Sequence, residues 1–203
     1  MSAAPRIGLL LLAAGGSGRS GTPKLLLELN GQSLLRRAAE AAVTSEASVV
    51  AVVLGANAAS LDSALKNLPL RKILNSRWKE GLSSSIRCGV QAISREVDAA
   101  LIMLADQPLI STDILNRLMG AFRTGERAIV ASAYGQTVGV PAIFGASVFS
   151  DLLNLTADRG AKDLIRVYGD AMLTVSVPEA AVDIDTEEDL DRLKHQLSSS
   201  TRP

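Results

Sequence analysis

The sequence predicts a three-layer α/β fold, with a mostly parallel sheet, helices on both faces and one late antiparallel strand pair. Three observations predict it. Short apolar runs recur along the chain, among them IGLLLLAA from Ile7, SVVAVVL from Ser48 and AALIML from Ala99, as in strands buried on both faces. Amphipathic segments at helical spacing separate them, the alternation that lays helices over both sides of a parallel sheet. The first run ends in a loop holding Gly15, Gly16, Gly18 and Gly21, as where a buried strand delivers flexible backbone to a sheet edge.

In chain order, the strand from Ile7 gives way to the Gly-rich loop, and apolar sequence resumes at Leu25. Residues 33–43 form a helix capped by Ser33, 48–54 a buried strand and 58–68 a second helix. A short strand at 72–74 leads into the loop 75–81, followed by a helix at 83–93, a strand at 99–104 and a helix at 111–122. From Ala128 the rhythm changes. Residues 128–133 and 138–144, divided by Tyr134-Gly135, read as a hairpin with antiparallel character. Helices at 147–155 and 161–167, strands at 172–177 and 181–183, and a helix at 186–197 follow, the last opened by Thr186 with Asp189 three residues on. Residues 198–203 read as a frayed tail. With 203 residues, 47% of them hydrophobic, the chain can bury a full core. It reads as one Rossmann-like domain over 1–203 with an ordered core of about 6–197.

Composition excludes several classes. The formal net charge is zero, and no basic run interleaves with aromatics, which argues against a nucleic-acid surface. The single cysteine, Cys88, rules out an intrachain disulfide and agrees with a reducing cytoplasm. No apolar stretch reaches the length of a membrane span. Arg6 followed by IGLLLLAA has the look of a signal peptide, but a buried strand also accounts for the loop that follows.

Glycines at the loop let backbone N–H groups approach phosphate oxygens, and Arg19 and Lys24 supply matching positive charge. The spacing is neither a dinucleotide fingerprint nor a P-loop. Asp106 directly follows the strand AALIML, and ligands of open parallel sheets bind beyond the carboxyl ends of the strands, where the loop 14–24 also lies. A carboxylate beside a triphosphate repels it unless a cation stands between them. Mg2+ suits that position, held by one or two carboxylates plus phosphate oxygens. Without such a ligand, Asp106 is a turn or capping residue before Pro108.

Ser83, Ser84 and Ser85 open a helix whose first turn can meet a phosphate, a ribose or a base edge. Trp78 packs against the sheet edge or stacks on substrate; Arg87 serves an acceptor or lies on a solvated helix face. Alternation from Val182 to Thr186 puts Asp183 and Asp185 on one side, where one could complete a metal site opposite Asp106. Acids favoured at a helix N-terminus are the other reading.

The ordered set LLLAAGGSGRSGTPKLLLEL, NSRWKEGLSSSIRCGV, LADQPLI, GVPAIF, DRGAKDLI and VDIDTEEDL resembles the nucleotidyltransferases that attach a nucleotide to molybdopterin, especially the cytidylyltransferases among them. The resemblance spans residues 8–190 and implies a nucleotide-diphospho-sugar transferase-like fold. It implies that Leu12, Ala13, Ala14, Gly15, Gly16, Ser17 and Gly18 wrap the nucleotide, that Arg19 holds the outgoing phosphates and that Lys24 neutralises the α-phosphate. Asp106 then holds Mg2+ with Asp185 as a second metal contact, Ser84 and Ser85 meet cytosine or ribose, and Gly139, Val140, Pro141, Asp158 and Lys162 face the pterin. The implied substrates are CTP and molybdopterin, with a molybdenum hydroxylase or its chaperone as recipient partner. Related guanylyltransferases carry Leu-Ala-Gly-Gly where this chain has Leu12-Ala13-Ala14-Gly15, which favours CTP over GTP. The family commonly has Met in place of Ser20, His in place of Val140, and often Met in place of Gln107. Val140 removes a polar contact and leaves a sugar or polyol phosphate open as acceptor. A non-catalytic maturation factor that binds the cofactor is the alternative of another class.

Overall fold

The computed structural model describes residues 4–16, 23–156 and 159–200. Nine strands are described: β1 Ile7–Ala13, β2 Glu28–Leu29, β3 Gln32–Ser33, β4 Val49–Leu54, β5 Arg71–Leu74, β6 Ala99–Leu104, β7 Ile129–Tyr134, β8 Thr137–Gly145 and β9 Leu173–Ser176. The helices are α1 Leu34–Val43, α2 Ala58–Asp62, α3 Leu82–Ile93, α4 Thr112–Thr124, α5 Phe149–Leu153, α6 Ala161–Tyr168 and α7 Glu187–Ser200.

Seven strands form one sheet in the order β5-β4-β1-β6-β8-β7-β9. β1 is an interior strand, third from the β5 edge, and pairs in parallel with β4 and β6. β8 is antiparallel to both its neighbours, β6 and β7, and is the one reversed strand, since β9 is again parallel to β7. The expected antiparallel pair is therefore β7–β8.

Every residue of β1 is buried, and alternation divides it between two cores. Leu9, Leu11 and Ala13 pack with α1 and α4 through Leu35, Ala39, Leu115 and Leu118. Leu10 and Leu12 pack on the other face with Ile86 and Val90 of α3 and with Leu164 and Ile165 of α6. A smaller cluster, Leu29, Leu34, Ile184, Leu190 and Leu193, ties α7 to the β2–β3 hairpin.

Most element boundaries fall within two residues of the sequence expectation, and four regions differ, the first being the last helix, which runs to Ser200 through residues expected to fray. The segment 58–68 is helical only to Asp62 and continues as a 3-10 turn over Ser63–Leu65, where the Ser63 hydroxyl bonds the Ser60 carbonyl and competes with the helical pattern. The segment 147–155 likewise divides into the 3-10 turn Ala146–Val148 and the short α5. Residues 181–183 form no strand. The 3-10 turn Pro178–Ala181 turns the chain across the carboxyl edge of the sheet, where the Ile184 N–H donates to the Asp106 carbonyl at 3.0 Å.

Candidate active site

The carboxyl ends of β1 and β6 are where the chemistry-bearing side chains meet. Lys24 opens the 3-10 turn Lys24–Leu26, which is pinned by the buried side chain of Leu25. Its ammonium donates to Asp106 Oδ2 at 2.7 Å and to Asp185 Oδ1 at 2.7 Å. Asp106 follows β6, and Asp185 follows the backbone bond from Ile184 to Asp106, so one main-chain contact brings the two carboxylates to a common cation. Burial alone lowers the affinity of Lys24 for its proton, but the hydrogen bonds and charges of Asp106 and Asp185 together outweigh it and leave the ammonium above its ordinary value.

Two adjoining pockets lie at this edge, and Lys24 and Asp106 form part of the wall of the first. The first, about 440 Å3, is lined by Leu12, Ala13, Ala14, Gly15, Gly16, Lys24, Ser85 and Asp106, with Trp78, Lys79 and Gly81 opposite. Trp78 packs on Gly55, where an added Cβ would come within 2.6 Å of the Trp78 Cβ and 2.7 Å of the Ala14 carbonyl oxygen. Gly55 thus lets the Trp78 wall approach the Ala14 strand end. The Trp78 ring is both a packed surface and a pocket wall, and the Lys79 ammonium lies 5.6 Å from its centroid.

The second pocket, about 370 Å3, shares Leu12, Leu82 and Leu104 with the first and extends to Gln107, Tyr134, Gly139, Val140, Gly160, Lys162 and Asp183. Burial and the Asp183 carboxylate push the Tyr134 phenol up, so its hydroxyl stays a neutral donor at neutral pH.

Of the residues singled out in the sequence, Leu12, Ala13, Ala14, Gly15, Gly16, Lys24, Ser85 and Asp106 border the first pocket, and Gly139, Val140 and Lys162 the second. Ser84 lies apart. Its hydroxyl donates to the Arg77 and Gly81 carbonyls and accepts from Asn75, closing the loop onto α3. Pro141 is buried within β8, with its carbonyl accepting the Ser132 hydroxyl at 2.6 Å. Arg87 lines neither of these two pockets; its partly exposed guanidinium donates to the Leu155 carbonyl and to Glu80. Ser17, Gly18, Arg19, Ser20 and Asp158 lie outside the described residues. Tyr134 and Leu82 were not legible as site residues. Tyr134 ends a strand at the same sheet edge, and that placement is the signal that could have found it.

The donor set can be tested against Mg2+. Among the described residues no group of three or more His, Cys, Asp or Glu converges. Two carboxylates do, and Asp106 Oδ1 is buried without a hydrogen-bond partner. A hard cation that takes one or two carboxylates and completes its shell with phosphate oxygens and water fits that set.

A mostly parallel sheet whose carboxyl edge holds a lysine and two carboxylates beside a pocket is the arrangement of a nucleotide-dependent transfer enzyme. The chain belongs to the MobA-like NTP transferase domain family, whose model matches residues 9–173. It is 30% identical over 195 residues to nicotine blue oxidoreductase of Paenarthrobacter nicotinovorans, covering 91% of this chain and 94% of that protein. It is 29% identical over 204 residues to purine catabolism protein PucB of Bacillus subtilis, covering 93% and 96%. Among solved structures it resembles Rv0371c of Mycobacterium tuberculosis in complex with manganese, with a TM-score of 0.79 and 25% identity over 94% of this chain and 98% of that one. No described helix is long and apolar enough to cross a membrane.

Proposed function

We propose that the protein transfers CMP from CTP to the terminal phosphate of molybdopterin and releases pyrophosphate. The observation that carries this reading is the meeting of Lys24, Asp106 and Asp185 at 2.7 Å contacts, with Lys24 and Asp106 in the wall of the first of two adjoining pockets. CTP occupies the first pocket, with the strand end Leu12–Gly16, the loop 17–24 and Ser85 around it, and Arg19 and Lys24 on its phosphates. Molybdopterin occupies the second, toward Gly139, Val140, Asp158 and Lys162. An oxygen of the acceptor phosphate attacks the α-phosphorus, the bond from that phosphorus to the β-phosphate oxygen breaks, and pyrophosphate leaves. The nucleophile is already an anion, so no general base is required, and the side chains contribute position and charge. Mg2+, held by Asp106 and Asp185, would supply further neutralisation of the phosphates; the manganese complex of Rv0371c supports a divalent ion in this fold. The six ordered motifs support molybdopterin as acceptor, and Ala14 supports CTP. A molybdenum hydroxylase or its chaperone is the proposed recipient of the product.

The testing experiment is pyrophosphate release by the purified protein with Mg2+ and molybdopterin, with CTP, GTP, ATP and UTP in parallel. Release with CTP alone is expected. Release mainly with GTP overturns the base assignment, and no release with any nucleotide overturns the transfer. The name of one 30% identical relative, nicotine blue oxidoreductase, favours a second reading, an oxidation or reduction in place of group transfer. Consumption of NADH or NADPH in place of pyrophosphate release would establish it.

A further inference from the structure

We propose that the side-chain carbonyl of Gln107 reads an N–H edge of the acceptor substrate in the second pocket, selecting a phosphate carried on a flat, N–H-edged heterocycle over a sugar or polyol phosphate. The inference rests on the transfer reading above and names the group that recognises its acceptor.

Gln107 is 4% exposed and forms part of the second pocket's wall. Its amide orientation is determined by its partners. Nε2 donates to the Val140 carbonyl at 3.3 Å and to the Ala180 carbonyl at 3.0 Å, and both partners only accept. A flipped amide would set oxygen against two oxygens. Oε1 is therefore the end of the amide left over, and it is buried with no hydrogen-bond partner. Buried polar atoms are almost always satisfied, so an acceptor held in a pocket wall by two bonds at its other end is a site for a donor.

The remaining wall says what carries that donor. Leu12, Ile86, Ile102 and Leu104 present apolar surface, which suits the faces of a ring. A polyol placed there would bury hydroxyls against methyl groups that cannot bond them. The Tyr134 hydroxyl, in the same lining, supplies a donor for an acceptor atom on the ring. A heterocycle with apolar faces and polar edges satisfies both groups.

The test uses 6-hydroxymethylpterin and its N-methylated analogue without N–H donors, titrated by ligand fluorescence into wild-type protein and Gln107→Met. Wild type is expected to bind the parent pterin about tenfold more tightly than the analogue. In Gln107→Met the two ligands should bind within about twofold of each other, with CTP affinity unchanged. A merely structural role for the amide would weaken both ligands equally and keep their ratio, and that result overturns the proposal. So does the lack of any preference in wild type, a comparison that does not depend on the variant folding. Pterin binding with the Gln107 signature but no pyrophosphate release would sink the transfer reading and leave this inference standing. Transfer to molybdopterin with an acceptor KM unchanged in Gln107→Met would do the reverse.

Discussion

Asp106 and Asp185 contact the same ammonium at the same distance, 2.7 Å, yet they differ in shelter: the Asp106 side chain is 20% exposed and that of Asp185 is 69% exposed. Substituting each by Asn removes the charge while keeping an oxygen that can accept from Lys24. A solvent-exposed ion pair contributes about 0–1 kcal/mol, whereas a sheltered charge-assisted hydrogen bond contributes about 1.5–3 kcal/mol. For a domain of this size each kcal/mol moves Tm by about 2–4 °C. Asp185→Asn should therefore lower Tm by at most about 4 °C, and Asp106→Asn by about 3–12 °C. In pyrophosphate release at saturating CTP, Asp106→Asn should lose about 10^2–10^3 in kcat and Asp185→Asn about tenfold, because the more sheltered carboxylate acts where water screens less. Equal losses in the two variants would refute the role given to shelter. Full activity in Asp106→Asn would reduce Asp106 to a turn residue before Pro108.

Four further outcomes are expected. Ala14→Gly removes a methyl from the lining of the first pocket and should shift preference from CTP toward GTP by about tenfold, read as the ratio of kcat/KM values. In Gly139→Ala the new Cβ would sit 2.4 Å from the Tyr134 hydroxyl oxygen; displacing that ring at a cost of about 1 kcal/mol should raise the acceptor KM about fivefold and leave the KM for CTP unchanged. Chelation with EDTA should abolish pyrophosphate release, with Mg2+ or Mn2+ restoring it, whereas release that persists in EDTA would exclude a metal requirement. Lys24 and Tyr134 both hold their protons more tightly in the folded chain, so their contribution is complete below about pH 10 and is lost as pH rises through their folded values. Denaturation across the alkaline range should show that decline, and Lys24→Met should make it shallower.

The sequence made the sheet legible because β1, β4 and β6 are apolar throughout and the helices are amphipathic, and both signals survive without knowledge of neighbours. It was less informative where one local pattern admits two structures. Val182 and Ile184 alternate with acids like a half-buried strand, but the sheet already ends at β9, and Ile184 instead enters the small cluster beside α7. Asn30 and Gly31, both at positive φ, turn the β2–β3 hairpin, and this Asn-Gly signal was present in the sequence. The serines of α3 read as ligand groups, yet the buried Asn75 amide engages Ser84 and Ser85 from a loop seven residues before the helix begins, which no local spacing reveals. The contacts of Lys24 span 82 and 161 residues. Residue types pointed to each partner separately, but only the fold supplies their meeting.

The single reversed strand explains why the acceptor side of the site can be built from the second half of the chain. In a wholly parallel sheet, the beginning of every strand lies on the edge opposite the ligand. β8 runs against β6 with Ala142 opposite Ile102, so its first residues, including Gly139 and Val140, project toward the carboxyl end of β6 and Asp106. β7 and β9 keep the original direction, so Tyr134, which ends β7, and the segment after β9 that carries Ala180, Asp183 and Asp185 arrive at the same edge. One reversal therefore delivers the start of β8 together with the ends of its neighbours, and Gln107 fastens them: its amide bonds Val140 from the first group and Ala180 from the second. The residue proposed to read the acceptor is thus the one that joins the two segments forming its pocket. Any substitution there must be judged by ligand discrimination, because stability alone would report the joint and not the recognition.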